Sequence, residues 1–336
     1  MTRRHFAALT ATAASVLLLA ACAAPAATPP AGPAAGAAKH GATAGYPIEL
    51  DNCGTTVTVP APPRRIVTIK SSTTELLLAL GLSDRIIGTA FLDGPLPEEL
   101  ADEGASLNVI SDFLPGQEAV LGLAPDFIYG GWESNFTADG VGERDALAAL
   151  NIRTYVSPAA CKGEGYVPDP LTFDTVFAEI QEAGAIFGVQ DAAAELVADQ
   201  RASLDALVPV TGAPTALWYS SGTDSPYVGA GIGSPAMIMD AAGLTNIFAD
   251  VHDTWSSVGW ESIVAADPHV IVLVDATWNT AASKMATLES NPATRELTAV
   301  KNKRYIVLPF AATEAGIRNV EATASVIDQL AALDQD

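Results

Sequence analysis

Two segments of this chain repeat one local design, and that repeat limits the folds open to it. Glu118–Tyr129 reads EAVLGLAPDFIY and Glu261–Val272 reads ESIVAADPHVIV. Each opens with a glutamate, places a proline seven residues later (Pro125, Pro268) and runs on into a β-branched, apolar stretch. That order predicts a short helix, a break at the proline and a buried strand, twice. Between the two lies Ala192–Val208, whose apolar residues Leu196, Val197, Leu204, Leu207 and Val208 fall at helical spacing. It is bounded by Gly188 on one side and by Gly212 and Pro214 on the other. The pattern predicts a connecting helix of about five turns between two similar lobes.

Strand and helix signals alternate on both sides of that helix. Tyr46–Pro60 alternates as a hairpin with its turn at Asn52-Cys53-Gly54. Arg65–Lys70 reads as a strand, Ser71–Leu82 as a helix and Arg85–Ala90 as a strand. Arg144–Leu150 and Phe173–Phe187 read as helices around a strand at Thr154–Val156. In the second half, Thr215–Tyr219, Val270–Val274 and Arg304–Leu308 read as strands, with a loop at Ser220–Gly233. Helices are expected at Met237–Ala242, Glu261–Ala266, Asn279–Leu288, Pro292–Ala299 and Val320–Leu333. Buried strands alternating with helices imply an α/β fold, with central β-sheets flanked by helices in two lobes joined by the single long helix. The expected division is 46–189, 190–211 and 212–336.

The N-terminus carries processing signals instead of fold. Arg3 and Arg4 precede the apolar run Ala7–Ala21, which is short for a membrane span and suited to a signal peptide, 1–21. It ends Leu19-Ala20-Ala21-Cys22, which resembles the lipobox of bacterial lipoproteins; the resemblance implies a lipid on Cys22 as the first mature residue. An ordinary secretory signal is the other reading. Residues 22–45 are rich in Ala, Pro, Gly and Thr and read as a flexible tether. The chain is therefore expected to be extracytoplasmic and held at the cell membrane by its lipid.

Charge and cysteines narrow the partners. The chain has 17 Lys+Arg against 39 Asp+Glu, a net charge of −22, which argues against nucleic acid and anionic lipid surfaces. Cys53 and Cys161 remain after Cys22, and in an exported protein such a pair points to a disulfide, two buried thiols being the alternative. Only His252 and His269 lie in the folded part, too few for a three-histidine metal site, so no metal is expected. HExxH, GxSxG and Walker patterns are missing, and no catalytic residue is assigned.

The signal and lipobox, RIVTIKSSTTELLLALGL at 65–82, the two glutamate segments and DAAGLTNIF at 240–248 together resemble substrate-binding proteins of ABC importers. The likeness is greatest to the class with a rigid inter-lobe helix that serves ferric siderophores, haem and cobalamin. LWYSSGTDSPYVGAG (217–231) and YVSPAAC (155–161) look like an actinobacterial subgroup whose proposed cargo includes a deazaflavin coenzyme precursor. The resemblance implies a monomer without a cofactor of its own, a permease dimer with its ATPase as partner, and Glu118 and Glu261 docking on permease arginines. The plainer reading of those acids is that they complement helix dipoles.

A ligand is expected between the lobes, beyond the carboxyl ends of the strands. Lys70, Ser71 and Ser72 follow the first strand; Tyr129 and Trp132 border another; Tyr219 and Tyr227 follow the opening strand of the second lobe. Trp278 and Phe310 follow later strands, and Trp255 precedes Glu261. Aromatics at several strand ends suit a flat or conjugated ligand. Arg318 is the cation expected to meet a carboxylate or phosphate, or else to form a surface ion pair. The rival reading is a membrane-anchored extracytoplasmic hydrolase on the same scaffold.

Overall fold

The computed structural model describes residues 45–335 apart from Pro168. Cys22, the signal region and most of the tether lie outside those residues. The first described element is a hairpin of β1 (Ile48–Asn52) and β2 (Thr55–Val59), turned by Cys53 and Gly54, both at positive φ. A two-residue turn with left-handed backbone matches the twist of the strands it joins. Then follow β3 (Ile66–Ile69), α1 (Ser71–Ala79), β4 (Ile86–Ala90), α2 (Ala101–Gly104) and β5 (Val109–Ser111). They lead to α3 (Gln117–Leu121), β6 (Phe127–Gly130), α4 (Arg144–Ala149) and β7 (Arg153–Val156). The sheet order is β5-β4-β3-β6-β7, parallel throughout. β3 and β6 are buried at every residue, as strands covered by helices on both faces must be.

Two helices link this sheet to the next. α5 (Phe173–Phe187) starts on a Thr172–Thr175 capping box and stops at Gly188, which adopts a left-handed cap. α6 (Gln190–Asp205) turns back along it, so closely that a Cβ on Gly184 would stand 2.4 Å from the Ala193 methyl. The 16 residues of α6 span about 24 Å. It begins two residues before, and ends three before, the bounds the periodicity gives.

The second sheet is built from β8 (Thr215–Ser221), β9 (Tyr227–Gly229), α7 (Ser234–Ala242), β10 (Thr245–Asn246) and β11 (Trp255–Ser257). It continues with α8 (Trp260–Ala266), β12 (Val270–Asp275), α9 (Ala281–Ser290), α10 (Thr298–Lys301), β13 (Tyr305–Pro309) and α11 (Asn319–Leu333). Its order is β11-β9-β8-β12-β13, with β10 beside the start of β8. β9 is antiparallel to β8, so the expected Ser220–Gly233 loop contains a strand. Pro292–Ala299 is mostly turn, with helix only from Thr298. β3, β6 and β7 correspond in order to β8, β12 and β13, and α3 and α8 precede the equivalent strands β6 and β12.

No strand pairing joins the sheets among the described residues, yet the lobes share apolar contacts beyond the helix pair. Met237 of α7 and Val320 of α11 are buried in the same cluster as Leu76, Phe177 and Val197. The α/β architecture is as expected, and no described helix is long and apolar enough to cross a membrane.

Candidate functional site

A cavity of about 380 Å³ opens where the two sheets end, within the size range of small-molecule pockets. Its walls follow the carboxyl ends of strands: Trp132 after β6, Ser157 after β7, Ser220 in β8, Trp278 after β12 and Phe310 after β13. Tyr227 and Trp255, on paired strands β9 and β11, stack with centroids 6.1 Å apart and planes 15° from parallel. Trp278 stands edge-on to Phe310 at 6.0 Å and is 58% exposed. An exposed tryptophan inside a concave, aromatic-lined cleft leaves apolar surface open to solvent, as binding grooves do. Ser72, Trp132, Tyr227, Trp255, Trp278 and Phe310 all line this cavity.

Lys70 does not reach it. The residue is wholly buried at the start of α1, where its positive φ turns the chain from strand to helix. Its ammonium pairs with Asp93 and lies against three rings, 3.7 Å from the Trp132 centroid, 4.3 Å from Phe91 and 4.9 Å from Phe310. Burial raises the Asp93 carboxyl above its ordinary range, and Lys70 opposes that rise. Paired charge and cation–π contacts together offset the desolvation of the amine. Lys70 therefore supports Trp132 and Phe310 from behind. Gly131 permits this approach, since a Cβ there would sit 2.8 Å from the Lys70 Cβ. Ser71 is also behind the wall: its Oγ accepts from the Asp93 N–H at 2.8 Å.

Tyr129 and Tyr219 are likewise core residues instead of ligand contacts. The Tyr129 hydroxyl donates to Glu179 Oε1 at 2.8 Å, and Tyr219 donates to the Gly222 carbonyl at 2.6 Å. Alternation along β6 turns Tyr129 toward the α5 face, with Ile128 on the other. Burial pushes the Glu179 carboxyl up to about 7.

Arg318 also lies outside the lining, and its own side chain is mostly buried. Its guanidinium is 3.6 Å from Glu75 Oε1, linking α11 of one lobe to α1 of the other, and 3.8 Å from Glu321. Glu75, in the first turns of α1, is 1% exposed, and burial raises its carboxyl to about 8 despite Arg318. Unfolded, Glu75 loses its proton near 4.5; folded, near 8. Between those values the folded state holds more protons, so this residue's contribution to stability declines as pH rises through that window. Glu75→Gln is expected to flatten that decline. Thermal unfolding of both proteins from pH 4.5 to 8 checks it, and parallel profiles would refute it.

Three charged residues of the cavity escaped the sequence reading. Glu133, Lys162 and Glu314 line it, each a few residues beyond the end of its strand. The Lys162 amide donates to Glu133, and its ammonium spans the cleft to Thr254 Oγ1 at 2.8 Å and Asp253 at 3.4 Å. Its neighbour Cys161 forms a disulfide with Cys53 in the hairpin turn, settling the cysteine alternatives. Trp132 Nε1 donates to Glu314 Oε2 at 2.8 Å, again across the lobes. Burial raises the Glu314 carboxyl, with Lys70 opposing the rise. Among the described residues no group of three His, Cys, Asp or Glu side chains is placed to hold a metal.

Glu118 and Glu261 occupy matching places. Each is the second residue of its helix, follows a glycine N-cap (Gly116, Gly259) and is exposed. Both helices run back against parallel strands, so their N-termini sit at the edge where the strands end. The Glu261 carboxylate folds over its own helix start, 2.6 Å from where a Gly259 Cβ would be, a placement suited to the dipole.

Comparison with known proteins agrees with this geometry. An uncharacterised ABC transporter substrate-binding lipoprotein of Bacillus subtilis, YvrC, is 25% identical over 306 residues, 85% of this chain and 86% of that protein. A cobalamin-binding protein of Halobacterium salinarum is 28% identical over 233 residues, 68% of this chain and 58% of its own length. An ABC-type Fe3+-hydroxamate transport protein of Saccharomonospora viridis superposes with a TM-score of 0.71 at 27% identity, covering 85% of this chain and 99% of that one. Such proteins are binding components of ABC importers and not enzymes, and the hydrolase reading finds no support. Residues 66–312 match the periplasmic binding protein family, and this chain belongs to that family.

Proposed function

We propose that this substrate-binding protein captures a neutral or cationic chelate with broad apolar faces and presents it to an ABC permease, held at the membrane by a lipid on Cys22. The carrying observation is the lining of the cleft. Trp132, Tyr227, Trp255, Trp278 and Phe310 offer ring faces, while Lys162 is the one cation among the lining residues described. Ring faces suit a conjugated macrocycle or a compact chelate, and sparse cations disfavour a highly charged catecholate complex. Ferric hydroxamates fit this balance, consistent with the Saccharomonospora viridis relative. A corrinoid is the second reading, favoured by the cobalamin-binding relative. Haem asks for cations opposite its propionates, which the lining supplies only through Lys162. Docking of Glu118 and Glu261 on permease arginines completes the proposal.

Trp132, Trp255 and Trp278 are three of the five tryptophans, so ligand entry should be visible in intrinsic fluorescence. Full-length protein in detergent would be titrated with a ferric trihydroxamate, a corrinoid, haem and a deazaflavin precursor. Saturable quenching by the hydroxamate or the corrinoid, at roughly micromolar dissociation constant or tighter, is expected. Quenching by haem alone would overturn the preferred ligand class. Silence from all four with folded protein would overturn the carrier assignment for these cargoes.

A further inference from the structure

We propose that Glu314 determines specificity in the cleft by receiving a protonated amine carried on the captured chelate. This rests on the carrier reading above and adds a recognition element to it. Glu314 follows the short turn Phe310–Thr313, and Asn319 fixes that turn firmly. The buried Asn319 amide donates to the Glu314 carbonyl at 2.7 Å and to the Ala312 carbonyl at 3.2 Å, and its Oδ1 accepts from the Gly316 N–H. The carboxyl is thus presented from a rigid base. One oxygen, Oε2, accepts from Trp132; the other, Oε1, has no hydrogen-bond partner among the described residues.

Two cations, Lys70 and Lys162, partly offset the burial of this carboxyl, and each is engaged with another acid. Lys70 is paired to Asp93 behind the Trp132 and Phe310 rings. Lys162 is held by Thr254 and Asp253 on the far wall, and its amide occupies Glu133. Tyr227, also in the wall, has its phenol raised by burial and then by Asp253 and Glu314. An ammonium entering here meets a carboxylate and aromatic faces together, two groups that each attract it. An anionic ligand would meet the same carboxylate with no free cation beside it.

The test uses one chelate in two charge states. Iron(III) desferrioxamine B carries a pendant ammonium, and its N-acetyl derivative is the same chelate without that charge. With full-length wild-type protein in detergent, acetylation is expected to weaken binding about tenfold, the scale of one hydrogen bond to a charged group. Glu314→Gln keeps an acceptor for Trp132 Nε1 and is expected to bind both chelates with the wild-type affinity for the acetylated one, within about twofold. Equal binding of the two chelates by wild type overturns the proposal, with or without a folded variant. Retained preference in Glu314→Gln overturns it as well. If neither chelate binds but the corrinoid does, the role of Glu314 is refuted while the carrier reading stands. If no ligand in either set binds folded protein, both fail.

Discussion

Replacing Glu118 and Glu261 together by alanine is expected to reduce uptake of the ligand in cells at least a hundredfold while leaving its affinity for the isolated protein unchanged. The two carboxylates sit at equivalent helix starts, exposed, at the edge of each lobe where the strands end. Two fixed anions on a stiff body can register against a twofold cationic surface, and close interfacial charge pairs couple by about 1.5 kcal/mol or more each. Single variants should be intermediate. The dipole reading makes a different forecast: a loss of about 0.3–1 kcal/mol of stability per residue and normal uptake. Measured side by side, uptake and unfolding midpoints separate the two. Normal uptake by the double variant would end the docking assignment.

Replacing both Cys53 and Cys161 by serine is expected to cost about 4–5 kcal/mol of stability, because the bridge closes a loop across a sequence separation of 108 residues. It should also weaken ligand binding. The bridge pins the β1–β2 turn to the segment that carries Ala159, Ala160 and Lys162 into the cleft wall. Tyr166 reinforces the same tie by donating to Asp51 at 2.8 Å. Denaturant midpoints and the fluorescence titration, run on oxidised wild type and the double serine variant, measure the two effects. An unchanged midpoint would show that the bridge adds no constraint on the unfolded chain. Unchanged affinity would show that the wall holds its position without it.

Much of the scaffold was readable from sequence because its signals are local. β6 and β12 are short apolar runs between helices, β3 runs directly into α1, and α5 carries its cap and its terminating glycine in the residues that flank it. β5, β9 and β11 are three residues each, too short for a period to register, and they form only because a neighbouring strand pairs with them. The site was readable in its aromatics and not in its charges. Trp278 and Phe310 belong to the cleft because of where their strands end. Lys70 stands at a strand end too, but its fate is decided by Asp93, Trp132 and Phe310, all distant in sequence. Arg318 is claimed in the same way by Glu75 across the lobes. Tyr129 was decidable in principle, since alternation in β6 places it beside Phe127 on the face packed against α5.

The uneven burial of the lysines makes them graded chemical markers. Lys70 and Lys284 are sealed in the interior, 0% and 1% exposed, and beyond the reach of an amine-directed reagent in the folded state. Lys301 and Lys303 stand in solvent on the second lobe, away from the cavity lining. Lys162 alone among the described lysines combines an exposed side chain with a place in the cleft wall. A single labelling pattern therefore separates global unfolding, which uncovers the sealed pair, from occupancy of the cleft, which touches only Lys162.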